Sequence, residues 1–176
     1  MSETKVSGHQ CSFRVEVKNE KRPHSKHPKH SYTRLVDVRL SQTTVRLHRG
    51  GSVFVDGKKV EPVYKTSVLT VLRDREWVNV TTECGLNVAF DGDKVAVVEM
   101  PKMFANMTLG LCGDCDGDEE NDVSVDGKPF FMFPNIWEGY RALSRLYLIA
   151  DDSDKPDTSK ACEPPLRPYG PNILDG

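Results

Sequence analysis

The chain has 176 residues, 38% of them hydrophobic, with 24 Lys and Arg against 26 Asp and Glu for a net charge of −2. That length suits one domain with a real core, or a domain plus a tail. The near-neutral balance gives no ground for a nucleic-acid partner or a solvating acidic tail, and no run of about 18 apolar residues is present to span a membrane.

Residues 1–10, MSETKVSGHQ, are polar, contain no signal-peptide core and are expected to form a disordered leader. From Cys11 to Met100 the apolar pattern has period two, which predicts strands. In Cys11–Lys18, Phe13, Val15 and Val17 fall on one face and Arg14 and Glu16 on the other. Next comes a basic stretch with His24, His27 and His30 at every third position, Lys26 and Lys29 between them, and Pro23 and Pro28 marking a loop. The lysines oppose a transition metal, so the stretch reads as a solvated basic loop, able to meet an acidic glycan or another anion by electrostatics.

Leu35–Leu40 and Val45–Leu47 continue the strands, Gly50-Gly51 turns the chain, and Ser52–Val55 and Val60–Tyr64 flank Asp56-Gly57, a hairpin dipeptide. Pro62 is expected at a strand edge, since it has no N–H for a ladder. Thr66–Leu72, Trp77–Thr82, Leu86–Phe90 and Val95–Val98 complete the set, with Asp91-Gly92 as a further turn. Asp37, Asp74 and Glu76 read as surface carboxylates, and Trp77 and Trp137 as packing residues. One short helix is expected over Ile136–Leu146, and 151–176 reads as an irregular C-terminal segment. The fold class is therefore mostly β, an antiparallel sandwich or meander.

Five cysteines, Cys11, Cys84, Cys112, Cys115 and Cys162, are disulfide candidates, and their odd number leaves at least one without a partner within the chain. Asn79-Val80-Thr81 and Asn106-Met107-Thr108 are N-glycosylation sequons. Together these features predict a secreted, extracellular protein of which this chain is a piece. No nucleophile with a visible base, phosphate loop or zinc-protease motif suggests an enzyme.

The segment richest in chemistry is Gly110-Leu-Cys-Gly-Asp-Cys-Asp-Gly-Asp-Glu-Glu-Asn-Asp122. Carboxylates this close repel one another unless a cation neutralises them, and hard oxygen donors favour Ca²⁺. An EF-hand template fails: with Asp114, Asp116 and Asp118 as its first ligands, its glycine would fall on Glu119 and its bidentate Glu on Val125.

Gly110-Leu111-Cys112-Gly113, followed by Asp116-Gly117 and Asn121-Asp122, resembles the signature of the von Willebrand factor type D domain, with Asp114 where an Asn is usual. The resemblance extends to Phe13–Asn19, Cys84–Gly92, Val95–Met100 and Trp137–Cys162, covering about residues 11–163 and leaving 164–176 as a tail. It implies a calcium loop in which Asp114, Asp116, Asn121 and Asp122 give side-chain oxygens and Asp118 a backbone carbonyl. It also implies partners among other domains or copies of the same secreted protein, or among matrix and cell-surface proteins. The chain departs from the family pattern in lacking the opening Gly-Asp-Pro-His segment, which carries a further ligating Asp, and the early cysteine expected to pair with Cys112. Leu109 stands where many members have Cys. In place of that motif Cys112-Gly-Asp-Cys115 offers an alternative function, thiol–disulfide exchange that helps link chains. The acidic surroundings and the absence of a βαβ setting favour a structural role for these cysteines.

Overall fold

The alternation seen along the sequence becomes two packed antiparallel sheets in the computed structural model of the protein, which describes residues 3–6, 9–26, 30–122, 124–125, 128–129, 135, 138–139, 142 and 147. The first sheet is a six-stranded meander in chain order: β1 Glu3–Val6, β2 His9–Lys21, β3 Ser31–Leu40, β4 Thr44–His48, β5 Val53–Val55 and β6 Lys58–Val60. The second is a five-stranded meander of β7 Tyr64–Lys65, β8 Leu69–Asp74, β9 Trp77–Thr82, β10 Asn87–Phe90 and β11 Ala96–Glu99. A one-turn helix, α1 (Glu119–Asp122), and a small ribbon of β12 (Ser124–Val125) and β13 (Lys128–Pro129) follow.

Register explains why the sheets stack. Val38 lies opposite Val45 and Val45 opposite Val55, while Val36 faces Leu47 and Leu47 faces Val53. In the second sheet Val71, Val80 and Val88 form one row, and Val78 and Phe90 another. These rows form a single buried cluster drawn from both sheets, and each buried Val, Leu or Phe contributes about 1.5–3 kcal/mol. Short β-branched side chains suit such a core because they pack well on a pleated surface.

The chain changes sheet at Pro62, which lies in the bend between β6 and β7 and not within a strand. The strand expected over Val60–Tyr64 is thereby cut in two, as a residue without an N–H would dictate. Asp56 and Gly57 both take positive φ, 49° and 77°, in the β5–β6 hairpin, as a two-residue turn of this type requires. Gly92 also has a positive φ of 73°, and a Cβ there would stand 3.2 Å from the Gly51 amide nitrogen. Its carbonyl accepts the Gly50 N–H at 2.8 Å, which ties the two sheets at one end.

The structure alters four expectations. Within the stretch expected to be a disordered leader, Glu3–Val6 is a strand paired with His9–Ser12. Asp37, expected at the surface, is 2% exposed. Arg46 donates to its two oxygens at 2.7 Å each, so the charge is buried as one half of a fork. Beside it Glu16 is buried while Val17 is 48% exposed, the reverse of the simple alternation. Arg14 and Arg39 each approach Glu16 to 2.8 Å and cover it, whereas β2 beyond Ser12 has no β1 neighbour and leaves Val17 at an open flank. Trp137, Cys162 and the C-terminal segment lie outside the described residues. The helix expected over 136–146 does so too except at Glu138, Gly139 and Ala142, which are helical.

Candidate metal centre

The acidic loop is hung from the sandwich by Phe104. This residue, at the end of a single 3₁₀ turn (Lys102–Phe104), is fully buried and meets the Phe13 ring edge-on at a centroid distance of 5.2 Å. Edge-to-face contact of this kind adds about 0.5–1.5 kcal/mol beyond area burial. The next residues turn back at once: the Met107 N–H donates to the Phe104 carbonyl and the Asn106 N–H to the Asp114 carbonyl, each at 2.9 Å. The Thr108 hydroxyl donates to the Gly113 carbonyl at 3.2 Å. The stretch 106–114 is thus a closed turn.

Gly113 is the pivot. It is buried, has a φ of 74°, and a Cβ on it would fall inside the Asp122 carboxylate. Only glycine allows Asp122 to reach across to the Asp114 N–H, whose proton its Oδ1 accepts at 3.1 Å. Between these ends the carboxylates make successive turns in which a side chain accepts from the amide two residues on. Asp114 accepts from the Asp116 N–H at 3.2 Å, and Asp116 from the Asp118 N–H at 2.6 Å. The Asn121 amide donates to the other Asp116 oxygen at 3.1 Å. The Asp118 amide and then the Asn121 side chain favour the charged form of Asp116 and hold it below the ordinary aspartate range.

The structure brings Asp114, Asp116, Asp118, Asn121 and Asp122 onto one turn, with Asp114 and Asp122 half-buried and the other three exposed. Their oxygens are the hard donors that suit calcium. Among the described residues, however, no three His, Cys, Asp or Glu side chains converge on one point. The described carboxylates serve backbone amides, and a cation would have to compete with those bonds.

The cysteines separate into two kinds. Cys11 of β2 is bonded to Cys84 in the turn after β9, with Cα atoms 6.0 Å apart and a sequence separation of 73. This bond links the first sheet to the second. Cys112 and Cys115 are exposed and form no disulfide among the described residues. The sequons also differ in setting. Asn79 lies half-buried within β9, opposite Leu72 and Ala89, whereas Asn106 is exposed at a turn with a φ of 61°.

Sequence reasoning missed a polar cluster where β2 ends. Arg22 forms ion pairs with Glu20 at 3.2 Å and with Asp93, lies 4.6 Å over the Tyr32 ring, and donates to the Thr33 carbonyl at 3.1 Å. Only the basic composition of the stretch hinted at it.

Comparison with known proteins fits this architecture. Residues 2–126 match the family model of the von Willebrand factor type D domain. Zonadhesin from Oryctolagus cuniculus is 32% identical over 155 residues, which cover 87% of this chain and 6% of that protein. SCO-spondin from Bos taurus is 34% identical over 93 residues, 52% of this chain and 2% of its own. Alpha-tectorin from Gallus gallus is 30% identical over 130 residues, 73% of this chain and 6% of its own. The chain therefore spans only a small fraction of the length of each of these relatives. By the extent of the family match and by its sandwich, this chain belongs to the von Willebrand factor type D domain family.

Proposed function

We propose that the chain is a module of a secreted, extracellular protein with a structural and adhesive role, which binds calcium through its acidic loop. It would associate with other domains or copies of the same protein, or with matrix and cell-surface proteins. One observation carries the reading: Asp122 closes back under Gly113 onto Asp114, so five oxygen-bearing side chains are gathered on a turn anchored in the core. Calcium, when bound, supplies a hard cation that offsets the mutual repulsion of these carboxylates. Asp114, Asp116, Asn121 and Asp122 would offer side-chain oxygens to it and Asp118 its carbonyl. A ligand that binds only the folded loop at one hundred times its Kd adds about 2.7 kcal/mol to stability, which couples folding to extracellular calcium. The two sequons at Asn79 and Asn106 would carry glycans in the same setting.

Calcium titration calorimetry on the oxidised chain, beside an Asp116→Ala/Asp122→Ala double variant, tests this. The expected result is a binding heat and a rise in melting temperature, both lost in the variant. No heat and no stabilisation at millimolar calcium overturn it.

A second reading rests on a different observation, that Cys112 and Cys115, three positions apart, are both exposed and unbonded among the described residues. Thiols so placed would serve disulfide exchange that links chains. Rapid alkylation of both under native conditions favours that reading, and slow or absent alkylation excludes it.

A further inference from the structure

A cleft of about 500 Å³ opens at the end of the sandwich where β2 finishes, lined by Glu20, Lys21, Arg22, His24, Arg49 and Asp93, with Pro23 and Ser25 between. Its two carboxylates are already engaged. Glu20 is shared by Arg22, Arg34 and Arg49, and Asp93 is held by Arg22. Lys21 and His24, and Lys26 beside them, hold no ion pair among the described residues. Three permanent cations of the cleft lining (Lys21, Arg22 and Arg49) thus face two carboxylates, Arg34 adds a fourth at 3.9 Å from Glu20, and Lys26 follows Ser25 in the sequence. An independent observation points to a ligand. The Ser25 hydroxyl, on the cleft wall, is buried with no hydrogen-bond partner among the described residues, a state that costs about 1–3 kcal/mol unless something accepts its proton.

We propose that this cleft binds the sulfo groups of an acidic oligosaccharide. An oxyanion there accepts from Ser25 and from the Lys21 and Arg49 side chains, and the surplus of charge spread over the rim suits a chain of repeated anions better than one isolated ion. The volume is in the range that holds a small ligand. The proposal rests on the extracellular setting given above only in choosing a sulfated sugar over a phosphate.

The test is calorimetry of the full chain with a size-defined heparin hexasaccharide, at low and at physiological salt. A Lys21→Glu/Arg49→Glu variant should weaken binding at least tenfold, and Ser25→Ala severalfold, with melting temperatures within a few degrees of the parent. A Lys58→Glu/Lys59→Glu variant, altered on the exposed β6 at the other end of the first sheet, should bind as the parent does. Absence of binding by the parent, or equal damage from the β6 variant, overturns the proposal. Tighter binding of a polyphosphate of matched charge overturns the choice of a sulfated sugar. Calcium heats measured on the same samples report the acidic loop separately, so failure of one site is distinguishable from failure of the other.

Discussion

Asp37 and Arg46 sit opposite each other on β3 and β4, and their fork is held with the carboxylate almost fully enclosed. Such a pair adds little net stability compared with apolar residues, because both charges lose water. Removing one partner is another matter, since the survivor is left charged and buried. Asp37→Ala should therefore cost about 3–5 kcal/mol, read as a lower urea midpoint, while Asp37→Ala/Arg46→Met recovers much of the loss. Asp91 has a different dependence. Burial works against its charge, but the amides of Val95, Asp93 and Lys94 outweigh that and hold it below the ordinary aspartate value of 3.8. Its folded form is the stronger acid, so its contribution is present above about pH 4 and is lost as pH falls through the depressed value. Asp91→Asn should flatten the acid limb of the stability–pH curve in that window, measured by thermal melts from pH 2 to 6. At Gly113 the matter is steric: Gly113→Ala forces both a left-handed backbone and a clash with Asp122. It should abolish calcium heat with the sandwich left folded by far-ultraviolet dichroism.

At the scale of elements, the predicted strands returned nearly intact because alternation and turn dipeptides are local signals. β8, β9 and β10 were legible from their apolar spacing, and the β5–β6 hairpin from Asp56-Gly57. β1 was not legible, for Glu3-Thr-Lys-Val6 has one apolar residue and is ordered only by pairing with β2. Glu16 and Asp37 were hidden for a related reason. A carboxylate reads as solvent-facing until the arginines that cover it are known, and Arg39 and Arg46 come from other strands or positions. The acidic loop was visible as composition, but the closure of Asp122 under Gly113 was not, because it depends on one backbone angle. The Arg22–Asp93 contact spans 71 residues, beyond any local pattern. It joins the end of β2 to the turn before β11, and Thr33 adds a hydroxyl bond to the Lys94 carbonyl at 3.1 Å. Arg22→Ala should loosen that turn selectively, seen as faster amide exchange at Asp93–Val95 than in the core strands.

For the whole molecule, the Cys11–Cys84 bond is the one disulfide among the described residues and a strong constraint on the unfolded chain. Closing a loop of 73 residues removes chain entropy worth about 4 kcal/mol in the simple loop model. A Cys11→Ser/Cys84→Ser variant, or reduction of the native chain, should lower the unfolding free energy by an amount of that order. The bond has a further consequence for integrity. It brackets β3 to β9 and all their connections, so a protease that cuts once anywhere between residues 12 and 83 separates the backbone without releasing a fragment. Such nicked material would run as one band on a non-reducing gel and as two after reduction, and damage in transit through a protease-rich fluid would leave the module in one piece.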